Sequence, residues 1–161
     1  MFKKILVPLD GSDLAAKILP KVIELAKAGK AQVTLMHVCY STGAEVGEAP
    51  PSVIKKAAAK EAKWCATFLA KAAKDLQAKG VDVKTECVEG VPAREIIAFA
   101  DKKKMDLIAM ATHGRGEVAW VLGSTAEKVV TQATVPVLLF RVMKIKPPVL
   151  KEVFFATPGV G

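Results

Sequence analysis

Short apolar runs rich in β-branched residues alternate with segments of helical periodicity over nearly the whole chain, and this alternation restricts the fold more than any other feature. The strand-like runs are Lys4–Leu9, Ala31–Tyr40, Val81–Val88, Met105–Ala111 and Val135–Phe140. The second and fourth are apolar almost throughout, as strands covered on both faces require. The third alternates, with Val81, Val83, Thr85 and Cys87 sharing one face. Pro136 cannot donate to a ladder, so the fifth run belongs at a sheet edge.

The intervening segments read as helices. The first starts at a Ser12 or Asp13 cap and reaches about Ala28, with Ala15, Leu19, Val22 and Ala26 along one face. Pro20 inside it predicts a kink or a break. Residues 41–51 are loop-like. A long helix then begins at Ser52, repeats Ile54, Ala58, Cys65, Phe68, Leu69, Ala72 and Leu76 at helical spacing, and stops at Gly80. Gly90-Val91-Pro92 turns the chain into a helix carrying Ile96, Ile97, Phe99 and Ala100, and a last helix ends near Ala133. Strands alternating with helices predict an α/β fold, a five-stranded parallel sheet in the Rossmann-like order 3-2-1-4-5 with helices on both faces. Ligands bind such sheets outside the carboxyl ends of the strands where the order reverses, here at Leu9-Asp10-Gly11-Ser12 and at residues 111–125. The expected domain is 1–142. Residues 143–161, interrupted by Pro147 and Pro148 and apolar from Val149 to Phe155, form an extension expected to pack on the domain or on a partner.

Composition excludes several classes. With 161 residues, 52% of them hydrophobic and 25% charged, the chain encloses a core of its own and is neither disordered nor fibrous. No apolar run approaches the roughly 20 residues of a membrane span, and Met1 leads straight into the first strand, so a cytoplasmic location is expected. Cys39, Cys65 and Cys87 are odd in number, far apart and without a C-x-x-C, which predicts reduced, buried thiols and neither a disulfide framework nor a zinc site. The net charge of +8 is mostly lysine, with Arg94, Arg115 and Arg141 the three arginines. Aromatics are only 6%, so the basic charge lacks the stacking partners of a nucleic-acid surface.

The richest local signal is Ala111-Thr112-His113-Gly114-Arg115-Gly116-Glu117, followed by Gly123-Ser124-Thr125 at the start of the last helix. Glycine lets backbone N–H groups approach an anion, and a helix N-terminus adds unpaired donors and a favourable dipole. The hydroxyls of Ser124 and Thr125 add further donors. The plainer reading is that Gly114 and Gly116 shape a turn and Ser124 caps a helix. The pattern matches neither G-x-x-x-x-G-K-[ST] nor G-x-G-x-x-G.

In combination, Ile5-Leu6-Val7-Pro8-Leu9-Asp10-Gly11-Ser12, Gly90-Val91-Pro92-Ala93-Arg94-Glu95-Ile96 and Thr112-His113-Gly114…Gly123-Ser124 resemble the universal stress protein family over residues 1 to about 142. The resemblance implies the 3-2-1-4-5 sheet, a homodimer through the last strand (residues 135–141) and, in one subgroup, ATP at the loops already named. That subgroup's pattern, G-x-x-G-x9-G-[ST], puts Ala111 at the first glycine, Gly114 at the second, Gly123 at the third and Ser124 at the hydroxyl. Two departures stand out. Ala111 adds a methyl group, and residues 115–122 make the connection one residue short, with Gly116 a possible means of compensation. By resemblance, Asp10 lies beside the adenosine, Val38 and Leu9 line the adenine, and Met110 and Ala111 floor the pocket. Pro8, His113, Arg115, Gly116 and Thr125 complete the candidate nucleotide-binding set. For Asp10 the alternative is a capping role beside Ser12, and for Val38 and Met110 it is strand core.

The implied ligand is ATP or ADP, with or without Mg²⁺. Among the other candidates, His37 reads as a hydrogen-bonded core residue and His113 as a loop-shaping one. Arg115 pairs with phosphate or sits on the surface, Cys39 and Tyr40 at the pocket mouth permit redox sensing, and Trp120 packs on a core or dimer face. Three functions compete: a dimeric nucleotide-binding stress-response module with at most slow ATP hydrolysis, acting on a downstream protein; an interaction module of the same fold with a degraded pocket; and an adenylating PP-loop enzyme. The last requires a Ser-Gly-Gly-x-Asp-Ser loop, where this chain has Asp10-Gly11-Ser12-Asp13.

Overall fold

The structure is a computed structural model that describes residues 1–39, 50–114 and 121–144. Ten elements follow one another: β1 (Lys4–Pro8), α1 (Asp13–Ala16), α2 (Leu19–Gly29), β2 (Gln32–Cys39), α3 (Pro51–Ala78), β3 (Asp82–Glu89), α4 (Pro92–Lys102), β4 (Leu107–Ala111), α5 (Ser124–Gln132) and β5 (Val137–Phe140). The five strands form one parallel sheet in the order β3-β2-β1-β4-β5, as the alternation predicts. Pro136 directly precedes the edge strand β5, and its carbonyl accepts from Ile108 N–H. The tail beyond Lys144, together with Tyr40, Arg115, Gly116 and Trp120, lies outside the described residues.

Strand parity sorts the core into two layers. Odd-numbered Ile5, Val7, Val33, Leu35, Leu107 and Ala109 pack with Val22 of α2 and Leu69 and Leu76 of α3. Even-numbered Leu6, Met36, Ile108 and Met110 pack with Ile96 and Ala100 of α4 and Val129 of α5. Both faces of β1, β2 and β4 are thereby covered, which is why those strands carry no polar alternation. The break foreseen at Pro20 is real. Helix α1 ends after one turn, and α2 restarts at Leu19 with Pro20 in its first turn, where a missing N–H costs nothing.

The cysteine expectation is overturned. Cys65 and Cys87 form a disulfide, with Cα atoms 6.3 Å apart, and Cys39 alone is a free, buried thiol. Distance along the chain misleads here. Helix α3 lies on β3, so Cys65 on its buried stripe meets Cys87 on the strand face shared with Val81 and Val83. The bond ties the edge strand β3 to the layer beneath it.

Asp106, just before β4, fastens the opposite ends of the strands. Its carboxylate accepts from the backbone N–H groups of Lys3 (2.8 Å) and Lys4 (2.9 Å), and these bonds hold its pKa below the ordinary aspartate value. A lowered carboxyl pKa contributes stability above the unfolded-state value and loses it as pH falls through the folded-state value. Asp106→Asn should therefore be less stable than the parent at pH 7, with the difference shrinking to nothing in acid below both values. Equal denaturant midpoints for the two proteins at neutral pH would contradict this.

Candidate functional site

At the carboxyl ends of the strands, where the order reverses between β1 and β4, the chain leaves a cleft of about 620 Å³. That is within the roughly 300–1,000 Å³ of small-molecule sites. Two turns build it. After β1, Leu9 N–H reaches across to Met36 O (2.8 Å), which pins the exit of the strand before the chain turns. Asp10 Oδ1 then accepts from Ser12 N (2.9 Å) and Ser12 Oγ (2.6 Å), and Ser12 Oγ accepts from Ala15 N (3.1 Å) as the N-cap of α1. Asp10 therefore supports the cap through one oxygen. Its other oxygen, Oδ2, abuts Gly114, where a Cβ would collide with it.

The second turn is the chain after β4. Thr112 N–H donates to Phe140 O (2.9 Å), and Gly123 N–H donates back to Thr112 O (3.0 Å), closing the connection at its base. His113 is 3% exposed and holds the same closure. Its Nε2 donates to Val121 O (2.5 Å), while Nδ1 is engaged with Thr112 Oγ1 (2.8 Å). The loop-shaping reading of His113 is thus what the geometry gives, and neither ring nitrogen is left for proton transfer in the cleft. Gly123 is the N-cap of α5 and supplies no side-chain cap, and Gly123, Ser124 and Thr125 at the start of that helix line the cleft. The simple capping role for Ser124 does not occur: it is the first residue of the helix.

Of the candidate residues, Pro8, Leu9, Asp10, Val38, Met110, Ala111, His113, Gly114, Gly123, Ser124 and Thr125 all line this one cleft. Arg115 and Gly116 fall outside the described residues. Val38 and Met110 are buried and belong to the core as well as to the cleft wall. Ala111 ends β4 opposite Phe140, with its methyl in the core and with none of the positive φ that would demand glycine. Gly114, the residue before the shortened connection, lies against Asp10.

Sequence reasoning missed the wall contributed by α3. Glu61 and Trp64 line the cleft, Trp64 stacks on Phe68 (centroids 5.3 Å apart, planes 4° apart), and His37 meets both rings edge-on. The signal was the i, i+3, i+7 spacing of Glu61, Trp64 and Phe68 on the helix face that also carries Cys65. His37 itself is buried, with Nδ1 2.7 Å from Leu9 O, the hydrogen-bonded core histidine that was expected. Two residues on, burial pushes the Cys39 thiol pKa up, and the Glu61 and Glu89 carboxylates add to the shift.

Architecture and cleft together define a doubly wound α/β domain whose two switch-point turns meet around a ligand-sized opening. The sequence model of the universal stress protein family matches residues 1–141. The chain is 38% identical to universal stress protein MJ0531 of Methanocaldococcus jannaschii over 147 residues, covering 88% of this chain and 83% of that one. It is 34% identical to universal stress protein YxiE of Bacillus subtilis, covering 88% and 100%. The solved structure of MJ0577 superposes with a TM-score of 0.78 at 29% identity, covering 88% and 96%. The chain belongs to the universal stress protein family. More distant members of the same fold have been solved as complexes: one with cAMP (TM-score 0.66, 20% identity), one from Archaeoglobus fulgidus with dAMP (0.60, 23%) and one from Arabidopsis thaliana with AMP (0.64, 17%). Among the described residues, no helix is long and apolar enough to cross a membrane.

Proposed function

We propose that this universal stress protein binds an adenine nucleotide, ATP or ADP with or without Mg²⁺, in the switch-point cleft. It acts as a cytoplasmic dimeric stress-response module that passes its occupancy to a protein partner. The observation that carries the reading is the meeting of Gly114 with Asp10 beside the N-terminus of α5 in the lining of one cleft. At Gly114 a side chain is excluded by Asp10, so the main chain comes close to the cleft there, and a helix N-terminus in the same lining suits the approach of phosphate oxygens. The apolar stretch of the cleft formed by Leu9, Val38 and Met110 suits a purine, and the carboxylate of Asp10 is placed to accept from a ribose hydroxyl. The AMP, dAMP and cAMP complexes of fold relatives support the same ligand class. Net charge of +8 favours capture of an anion. The engagement of both His113 nitrogens is consistent with at most slow hydrolysis. Dimerisation is assigned to β5, whose edge is short and apolar, with Leu138 exposed.

Mass spectrometry of gently purified protein is expected to release adenine nucleotide, and calorimetry on stripped protein should give saturable binding of ATP, ADP or AMP with one site per chain. Absence of binding by all three up to millimolar concentration would leave an interaction module with an empty pocket.

A further inference from the structure

Behind the aromatic pair of α3, three side chains of ligating type converge: His37 and Cys39 on the odd face of β2 and Glu61 on α3, with one ligand atom from each within 4.8 Å of the others. From these residues we infer a binding site for a single divalent transition-metal ion of the zinc class. None of the three proposed ligands belongs to the candidate nucleotide-binding set, although His37 and Glu61 line the same cleft.

Four observations carry it. First, the donor set is imidazole, thiolate and carboxylate, the ligand types that zinc takes in sites with three protein ligands and an open fourth position. Second, the histidine is already set for ligation. Leu9 O can only accept, so Nδ1 carries the proton, and in the neutral ring the lone pair lies on Nε2, the nitrogen without a hydrogen-bond partner among the described residues. A backbone carbonyl on the far nitrogen is the usual second partner of a metal-bound histidine. Third, the Glu61 carboxylate has no cationic partner among the described residues, where the one ion pair is Lys21–Glu24 on the surface. A half-buried carboxylate beside a buried thiol is a place that lacks positive charge. Fourth, the dimensions fit. Metal bonds of roughly 2.0–2.3 Å put tetrahedral ligand atoms about 3.5 Å apart, so the cluster closes by about 1 Å, within the reach of a Glu61 rotamer change.

The cluster sits between two openings. His37 and Glu61 line the large cleft, while Cys39 and Glu61 line a second cavity of about 220 Å³ shared with Cys87 and Glu89. An ion held there has an entry path and a face for water or a ligand. Binding exchanges the Cys39 thiol proton for a sulfur–metal bond and releases that proton to solvent, with no change of oxidation state.

Cobalt(II) titration of the full-length, tag-free protein tests the site, run without reductant so that Cys65 and Cys87 stay bonded and Cys39 is the only thiol. Expected are one equivalent bound, a thiolate-to-cobalt charge-transfer band in the near ultraviolet, and its loss on adding Zn²⁺. Cys39→Ser should bind without that band. Glu61→Gln, on a helix surface that tolerates the change, should keep the band and lose at least about tenfold in affinity. Circular dichroism must show both variants folded. No binding to millimolar cobalt, binding by the parent without the band, or unchanged affinity in Glu61→Gln would each overturn the inference.

Discussion

Gly114→Val should weaken adenine-nucleotide binding by at least about 100-fold, equivalent to about 2.7 kcal/mol, while the fold survives. The reasoning is steric and local. Any Cβ at residue 114 overlaps Asp10 Oδ2, so the carboxylate must leave the position from which it accepts Ser12 N–H and Oγ–H. The branched side chain then stands where a phosphate would approach the backbone. Nothing in the two core layers touches this point, so the thermal midpoint should move far less than the affinity. Calorimetry against the parent decides the matter. Binding within about threefold of the parent, a free-energy change of about 0.7 kcal/mol, would show that nucleotide does not pass Gly114.

Opening the Cys65–Cys87 bond should produce a large fall in stability without removing any side chain from the core. The bond closes a segment with a sequence separation of 22 residues, and the chain-entropy relation assigns such a loop about 3 kcal/mol. For a domain of this size that corresponds to a fall of roughly 6–12 °C in Tm. Scanning calorimetry with and without a phosphine reductant measures it, and Cys87→Ser in the absence of reductant should reproduce the shift. A change below about 2 °C would mean that the oxidised link adds nothing to an edge already held by packing. Under reducing conditions the same difference becomes a dependence of β3 on the local thiol balance.

Most of the architecture was readable from the chain because each strand's surroundings leave a mark on its composition. Strands β2 and β4 are apolar almost throughout because helices cover both their faces, and β3 alternates because it lies at an edge. Pro20 located a helix break, and Asp10 and Gly114 could be placed at one cleft before any coordinate was known, since a parallel sheet brings the exits of β1 and β4 together. Contacts that depend on which helix covers which strand end were not readable. The Cys65–Cys87 bond and the approach of Glu61 to His37 both require α3 to cross one particular part of β2 and β3, and residue spacing within α3 does not say where it crosses. The effect of Ala111 was also undecidable from the sequence, because its tolerance rests on an extended backbone at the end of β4.

The two borders of the sheet are treated differently. Along β3, Asp82, Lys84, Glu86 and Glu89 place charges on a strand already anchored from beneath, and such a border repels a neighbouring chain. Along β5, Val137-Leu138-Leu139-Phe140 offers four apolar residues on a strand that, among the described residues, pairs with β4 alone. In the dimer proposed above, joining two copies β5 to β5 about a twofold axis would consume both attractive borders and turn both charged ones outward. Growth would then stop at two chains, and the head-to-tail stacking that would turn an α/β sheet into a filament would be denied its second surface.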